Sequence, residues 1–157
     1  MASHLLVIGY GNTLRRDDGV GPRVAAEVEK LRLPGVLTLA CPQLTPELAD
    51  PLAQAAAAVF VDAAVGGEGP VRLRRLEPSA SSQVLAHAAD PRVLLALARD
   101  AFGRAPPAWL LAIPASELDF GEELTRPATL GLRKAVREVR ALHRRLQAGP
   151  RSRPTPA

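Results

Sequence analysis

Aromatic residues are scarce in this 157-residue chain: Phe, Tyr and Trp together make up 3%. A core of stacked rings is therefore excluded, and Leu, Val and Ala must fill the interior, since 47% of the residues are apolar. A single cysteine, Cys41, rules out an internal disulfide and a zinc site made of cysteines alone. No window approaches the roughly 18 apolar residues of a membrane-spanning helix. The apolar run before Gly9 is too short for a secretory signal and lacks a small-residue cleavage pattern, so a cytoplasmic location is expected. The glycine-lysine phosphate loop, the His-Glu-x-x-His zinc helix and the Gly-x-Ser-x-Gly nucleophile elbow are missing too.

What remains is enough for one compact domain, and a mean hydropathy of +0.04 excludes wholesale disorder. The net charge of +4 and a pI near 10.2 point at first to nucleic acid or a membrane surface. Position corrects that impression. Residues 126–157 hold nine bases and one acid, Glu138, leaving 11 bases against 15 acids in the rest of the chain. A mildly acidic body with a basic end is no nucleic-acid footprint, and neither nucleic acid nor membrane is expected as a partner.

Apolar runs alternate with segments of helical period. Leu5 to Ile8 reads as a buried strand, and Val20, Val24, Ala25, Val28 and Leu31 as one helix face closed by Pro34-Gly35. Val36 to Ala40 is a second strand, and Thr45-Pro46-Glu47 opens a second helix. Val59-Phe60-Val61 is a third strand, delivering Asp62 at its carboxyl end. Val71 to Leu76 alternates with arginines, which marks an edge or antiparallel strand. Asp90-Pro91 starts a helix over Val93 to Phe102, Trp109 to Ile113 is the fifth strand, and the last helix runs from about Pro127 to Leu146. The order βαβαββαβα predicts a three-layer α/β/α sandwich around a five-stranded, mostly parallel sheet. A single domain over residues 1–147 and a disordered basic tail over 148–157 are expected.

In open α/β sheets, ligands bind beyond the carboxyl ends of the strands. Asp17 and Asp18 follow the first strand, Asp62 ends the third, and His87 precedes the third helix. Two carboxylates and an imidazole can hold a divalent transition metal, or share acid-base work because close like charges raise one pKa. Ligation needs neutral imidazole, so binding should weaken below about pH 6. The plainer alternatives are that Asp17 and Asp18 cap a helix, that Asp62 caps a turn, and that His87 is incidental. Gly9-x-Gly11 has the start of a dinucleotide fingerprint, but Leu14 stands at its third glycine and no acid follows the second strand.

The stretch Val7-Ile8-Gly9-Tyr10-Gly11-Asn12-Thr13-Leu14-Arg15-Arg16-Asp17-Asp18-Gly19-Val20-Gly21 resembles the opening signature of the hydrogenase maturation proteases. The likeness continues at Val59 to Ala63, at His87 with Val93 to Ala98, and at Phe120-Gly121-Glu122-Glu123-Leu124-Thr125. The resemblance implies a phosphorylase/hydrolase-like α/β/α fold. It also implies an endopeptidase that removes a C-terminal extension from the nickel-loaded large-subunit precursor of a nickel–iron hydrogenase. The family's metal-binding trio carries over to Asp18, Asp62 and His87, with Asp18 or Asp62 as general base. Nickel would be supplied by the precursor, and other divalent transition metals could take its place. Asn12, Asp17, Gln43 and Thr45 are expected to touch the substrate, and the chain to act as a monomer. Two departures stand out: Asp17-Asp18 replaces the usual Asp-Glu, and Cys41-Pro42-Gln43-Leu44-Thr45 replaces a Gly-rich segment. They support an alternative, a precursor-binding or metal-sensing protein of the same fold that does not cleave.

Overall fold

The computed structural model describes residues 4–82 and 90–149. Strand β1 (Leu5–Tyr10) leads into helix α1 (Val20–Lys30), and strand β2 (Val36–Cys41) into helix α2 (Ala49–Gln54). Strand β3 (Ala57–Val65) and strand β4 (Leu73–Leu76) follow, then helix α3 (Pro91–Phe102), strand β5 (Ala108–Ala115) and helix α4 (Arg126–Ala148). The element order is the one expected from periodicity.

The five strands form one sheet in the order β2-β1-β3-β5-β4. Every neighbouring pair is parallel except β4 with β5. The alternating strand is thus both the edge and the antiparallel member, as its pattern predicted. Its ladder starts only at Leu73; Val71 leaves the sheet and is buried with α4 instead. On the face it shares with Leu73, Arg75 lies over the ring of its cross-strand partner Trp109, 5.0 Å from the centroid.

Side chains leave β1 alternately to the two faces, which divides the core in two. Leu5 and Val7 pack with Val20, Val24 and Val28 of α1 and with Ala135, Val139 and Leu142 of α4. Leu6, Ile8 and Tyr10 pack with Leu52 of α2 and with Leu94, Leu95 and Ala98 of α3. The three-layer sandwich follows. Among the described residues no helix is long and apolar enough to cross a membrane.

Helix ends carry their own signals. The Asp90 carboxylate accepts from the Arg92 N–H at 2.9 Å and so caps α3 ahead of Pro91, while Gly103, at φ 84°, closes it in the left-handed region. Thr125 caps α4 through the Ala128 N–H. The second helix begins as a 3-10 turn over Pro46–Leu48 and is regular only in α2.

Close packing of α1 on the sheet rests on the glycines of the opening motif. A Cβ on Gly9 would stand 2.0 Å from the Gly21 carbonyl oxygen, and one on Gly21 would stand 2.4 Å from that of Val61. Backbone meets backbone here, so these glycines seat a helix against two strands rather than cradle a phosphate.

Candidate functional site

Helix α1 carries the chain outward from β1 to β2, and α2 carries it back across β1 to β3, so the sheet's topological switch point lies between β1 and β3. β1 ends at Tyr10, and its pairing with β3 stops at Gly9 with Val61. β3 instead runs on to Val65 against β5. Asp62 therefore lies inside a strand rather than at its end. It still borders the open crevice because its neighbour on the β1 side has stopped. A three-residue apolar run could not reveal that extension, since Ala63 and Ala64 favour neither reading.

The loop after β1 places the second carboxylate. Gly11, at φ 142°, lets the chain turn with its Cα beside the Asp18 carbonyl; a Cβ there would stand 2.0 Å from that oxygen. Asp18 is half-buried, and its Oδ2 accepts from the Asn12 N–H at 2.9 Å. The Asn12 Oδ1 accepts from the Leu14 N–H at 2.9 Å, so the Asn12 side chain braces its own turn.

Asp17 and Asp18, adjacent in sequence, have unlike surroundings. Asp17 is fully buried. Its carboxylate accepts from the Ser116 N–H at 3.0 Å, the Glu117 N–H at 3.3 Å, the Thr125 N–H at 2.8 Å and the Thr125 hydroxyl at 2.8 Å. Burial alone would raise its pKa, but the hydrogen bonds from Ser116, Thr125 and Glu117 hold it below the ordinary value. The structure thus gives Asp17 a different role from the substrate contact expected of it. It ties the opening loop to the segment after β5 and to the cap of α4. Asp18 is the member of the pair that meets Asp62.

Asp62 is half-buried, and its pKa is pushed up, first by burial and further by the negative charge of Asp18; hydrogen bonds from Tyr10 and the Ala63 backbone act against this. Tyr10, the only tyrosine, is 8% exposed and hydrogen-bonded to Asp62. Its hydroxyl is pushed strongly upward by burial and then by Asp62, with smaller contributions from Asp90 and Cys41, so it stays a protonated donor. A carboxylate held by two donors, partly desolvated and facing a second carboxylate, is a site that favours a cation or a shared proton.

Gln43 is exposed and Thr45 half-buried in the loop after β2, at the same end of the sheet. A hydrogen bond from Thr45 lowers the pKa of Glu47, so Thr45 is engaged in opening the second helix. His87 lies outside the described residues. Among the described residues no three of His, Cys, Asp and Glu stand close enough to hold a metal on their own. Asp18 and Asp62 are a pair. His143 donates from Nε2 to the Pro34 carbonyl at 2.7 Å beneath the amino ends of the strands, far from this crevice.

Sequence reasoning missed the Tyr10 hydroxyl, because the strand was read to end at Ile8 whereas β1 runs on to Tyr10. It also missed the bond between the first and last motifs. Arg16 N–H donates to Gly121 O at 2.8 Å, Gly121 N–H to Leu14 O at 2.7 Å, and Arg16 Nε to Glu123 O at 3.3 Å. Those bonds hold Arg16 in a left-handed backbone, at φ 48°. Only the polar residues at both ends hinted at the pairing.

No family model matches the sequence, and no curated protein does either. Solved structures do. The hydrogenase 2 maturation peptidase of a Thaumarchaeota archaeon superposes with a TM-score of 0.62 at 27% identity, over 89% of this chain and 98% of that one. The fold is that of the hydrogenase maturation proteases. The hydrogenase maturating endopeptidase HybD from E. coli gives a TM-score of 0.67 at 22% identity, over 93% and 94% of the two chains. The NiFe hydrogenase maturation protease HycI from Thermococcus kodakarensis gives 0.65 at 22%, over 92% and 93%. The hydrogenase maturation protease fold thus spans nearly the whole of this chain and of each of these proteins, so the crevice between β1 and β3 is framed by the same architecture.

Proposed function

We propose that this chain is an endopeptidase of hydrogenase maturation, which removes the C-terminal extension from the nickel-loaded large-subunit precursor of a nickel–iron hydrogenase. The observation that carries the reading is the carboxylate pair Asp18 and Asp62, set at the switch point of this fold with a raised pKa on Asp62. Nickel enters as part of the substrate. Asp18 and Asp62 supply two oxygen donors to it, and His87, assigned through the family resemblance, supplies a nitrogen donor. The bound ion polarises the scissile carbonyl or acidifies a water. Asp18 or Asp62 serves as the general base. Tyr10 holds Asp62 by a hydrogen bond. The reaction is cytoplasmic, and the chain works as a monomer on one precursor at a time. The exposed Gln43 loop, stiffened by Pro42 and Pro46, selects the class of hydrogenase.

Incubation with a nickel-loaded precursor tests the proposal. Cleavage of the extension is expected, with none when the precursor lacks nickel. Asp18→Asn, Asp62→Asn and His87→Gln should each abolish processing while the chain remains folded. Precursor bound without product would favour the non-cleaving alternative.

A further inference from the structure

Phe120 is the most exposed large apolar side chain among the described residues, at 87%. It does not stand out on a loose loop. The next residue, Gly121, is bonded on both sides to the opening loop, and two residues earlier the Leu118 carbonyl accepts from Arg15 Nε at 3.2 Å. The backbone is therefore fixed around a phenyl ring facing water, which folding alone does not reward.

Its neighbours extend the feature. The Gly121 N–H donates to the carbonyl of Leu14, which is itself 47% exposed. Leu14 is in turn braced by Asn12, whose N–H holds Asp18. Across the β3–β5 ladder, Val65, 69% exposed, stands three residues beyond Asp62. Leu14 and Val65 thus belong to the segments that carry the carboxylate pair, and Phe120 to the segment bonded to the opening loop. Of the other exposed large apolar residues, Leu31, Phe102, Leu130 and Leu146 belong to helix surfaces and ends, and Leu37 to the edge strand β2.

We infer that Phe120 and Leu14 form an apolar seat for the extended peptide segment of the substrate, holding a large apolar side chain beside the bond to be cut. Three side chains are far too few for the roughly 800 Å² per partner of a stable dimer, but they match one or two residues of an extended chain. Leu14 and Phe120 flank the parallel bridge of Arg15 with Gly121, and Asn12, two residues before Leu14, holds Asp18, so a peptide seated there is led toward the acidic pair. This inference rests on the endopeptidase reading and adds the chemical class of residue that the enzyme selects.

The experiment compares the wild-type chain with Phe120→Ala, Phe120→Leu and Leu14→Ala on the nickel-loaded precursor, reading KM and kcat separately. Binding to the same precursor and sedimentation of the free chain are measured alongside. Burying one large apolar side chain is worth about one to two decades in an equilibrium constant. Phe120→Ala should raise KM and Kd at least about tenfold with kcat within about twofold, because the contact is equal in ground and transition states. Leu14→Ala should do the same more weakly, and Phe120→Leu should recover most of the loss. Unchanged KM and Kd in the Phe120→Ala, Leu14→Ala double variant would overturn the inference while leaving the endopeptidase reading intact. A wild-type chain that binds but does not cleave would overturn that reading, and the Kd comparison would still decide the seat. A wild-type chain that neither binds nor cleaves overturns both. A wild-type dimer that Phe120→Ala splits would assign the patch to a second copy and overturn the inference as well.

Discussion

Two neighbouring aspartates and one on the next strand show how little residue type alone says about role. Asp17 accepts hydrogen bonds from three backbone N–H groups and two hydroxyls, while Asp62 is partly desolvated beside another negative charge. Their effects on stability therefore have opposite signs. Asp17→Asn should destabilise the chain by about 2–3 kcal/mol near neutral pH, or about 5–10 °C in Tm by thermal denaturation. Because the folded-state pKa of Asp17 is lowered, its contribution is fully present above the ordinary value of 3.8 and is lost as pH falls through the lower folded value. The gap between wild type and variant should close in acid. For Asp62 the folded pKa is raised, so ionisation costs stability once pH rises through it. Asp62→Asn should stabilise the metal-free chain at neutral pH by roughly 1 kcal/mol or less, with the gain vanishing toward the ordinary value of 3.8. Denaturant titrations at several pH values check both. Asp62→Asn less stable than wild type at neutral pH would mean that Asp62 is a structural acid like Asp17.

At the scale of elements, the opening motif is a device for seating α1. Gly9→Ala or Gly21→Ala should cost more than about 3 kcal/mol, because each Cβ meets backbone that cannot yield. Soluble yield and Tm report it, and a near-neutral Gly21→Ala would contradict this packing. Thr125→Ala removes both a helix cap and a donor to Asp17, and should cost about 2 kcal/mol in the same assay. The elements themselves were legible because burial leaves a pattern: the unbroken apolar β1 and the stripes of α1 and α4 each follow from how they meet the core. Asp18 and Asp62 were legible as site residues because they fall where such sheets open. The extension of β3 past Asp62 was not, because it depends on where a neighbouring strand stops. Nor was the burial of Asp17, since its partners Ser116 and Thr125 lie about 100 residues away in sequence, and no local period encodes a loop-to-loop bond.

For the whole molecule, the basic pI is a property of the C-terminal stretch, residues 126–157. Arg133, Arg137, Arg140 and Arg144 are exposed along α4, opposite the buried Ala135, Val139 and Leu142. The acidic pair sits at the carboxyl ends of the strands, as a site that meets a bound cation should. Neutralising Arg137 and Arg140 together to Gln should change stability by less than about 0.5 kcal/mol, which Tm measures. If the stripe docks on an acidic surface of the precursor, the same variant should lose the salt dependence of complex formation. If the stripe is only solvated, that dependence should be unaltered. The central claim is that this fold presents Asp18 and Asp62 to nickel carried by a hydrogenase precursor. The most direct measurement is processing of one large-subunit precursor, prepared with and without nickel, followed by a mobility shift or by mass. The account predicts loss of the C-terminal extension from the nickel-loaded form alone, and no loss with Asp62→Asn. Cleavage that ignores nickel, or an Asp62→Asn chain that processes at the wild-type rate, would contradict it.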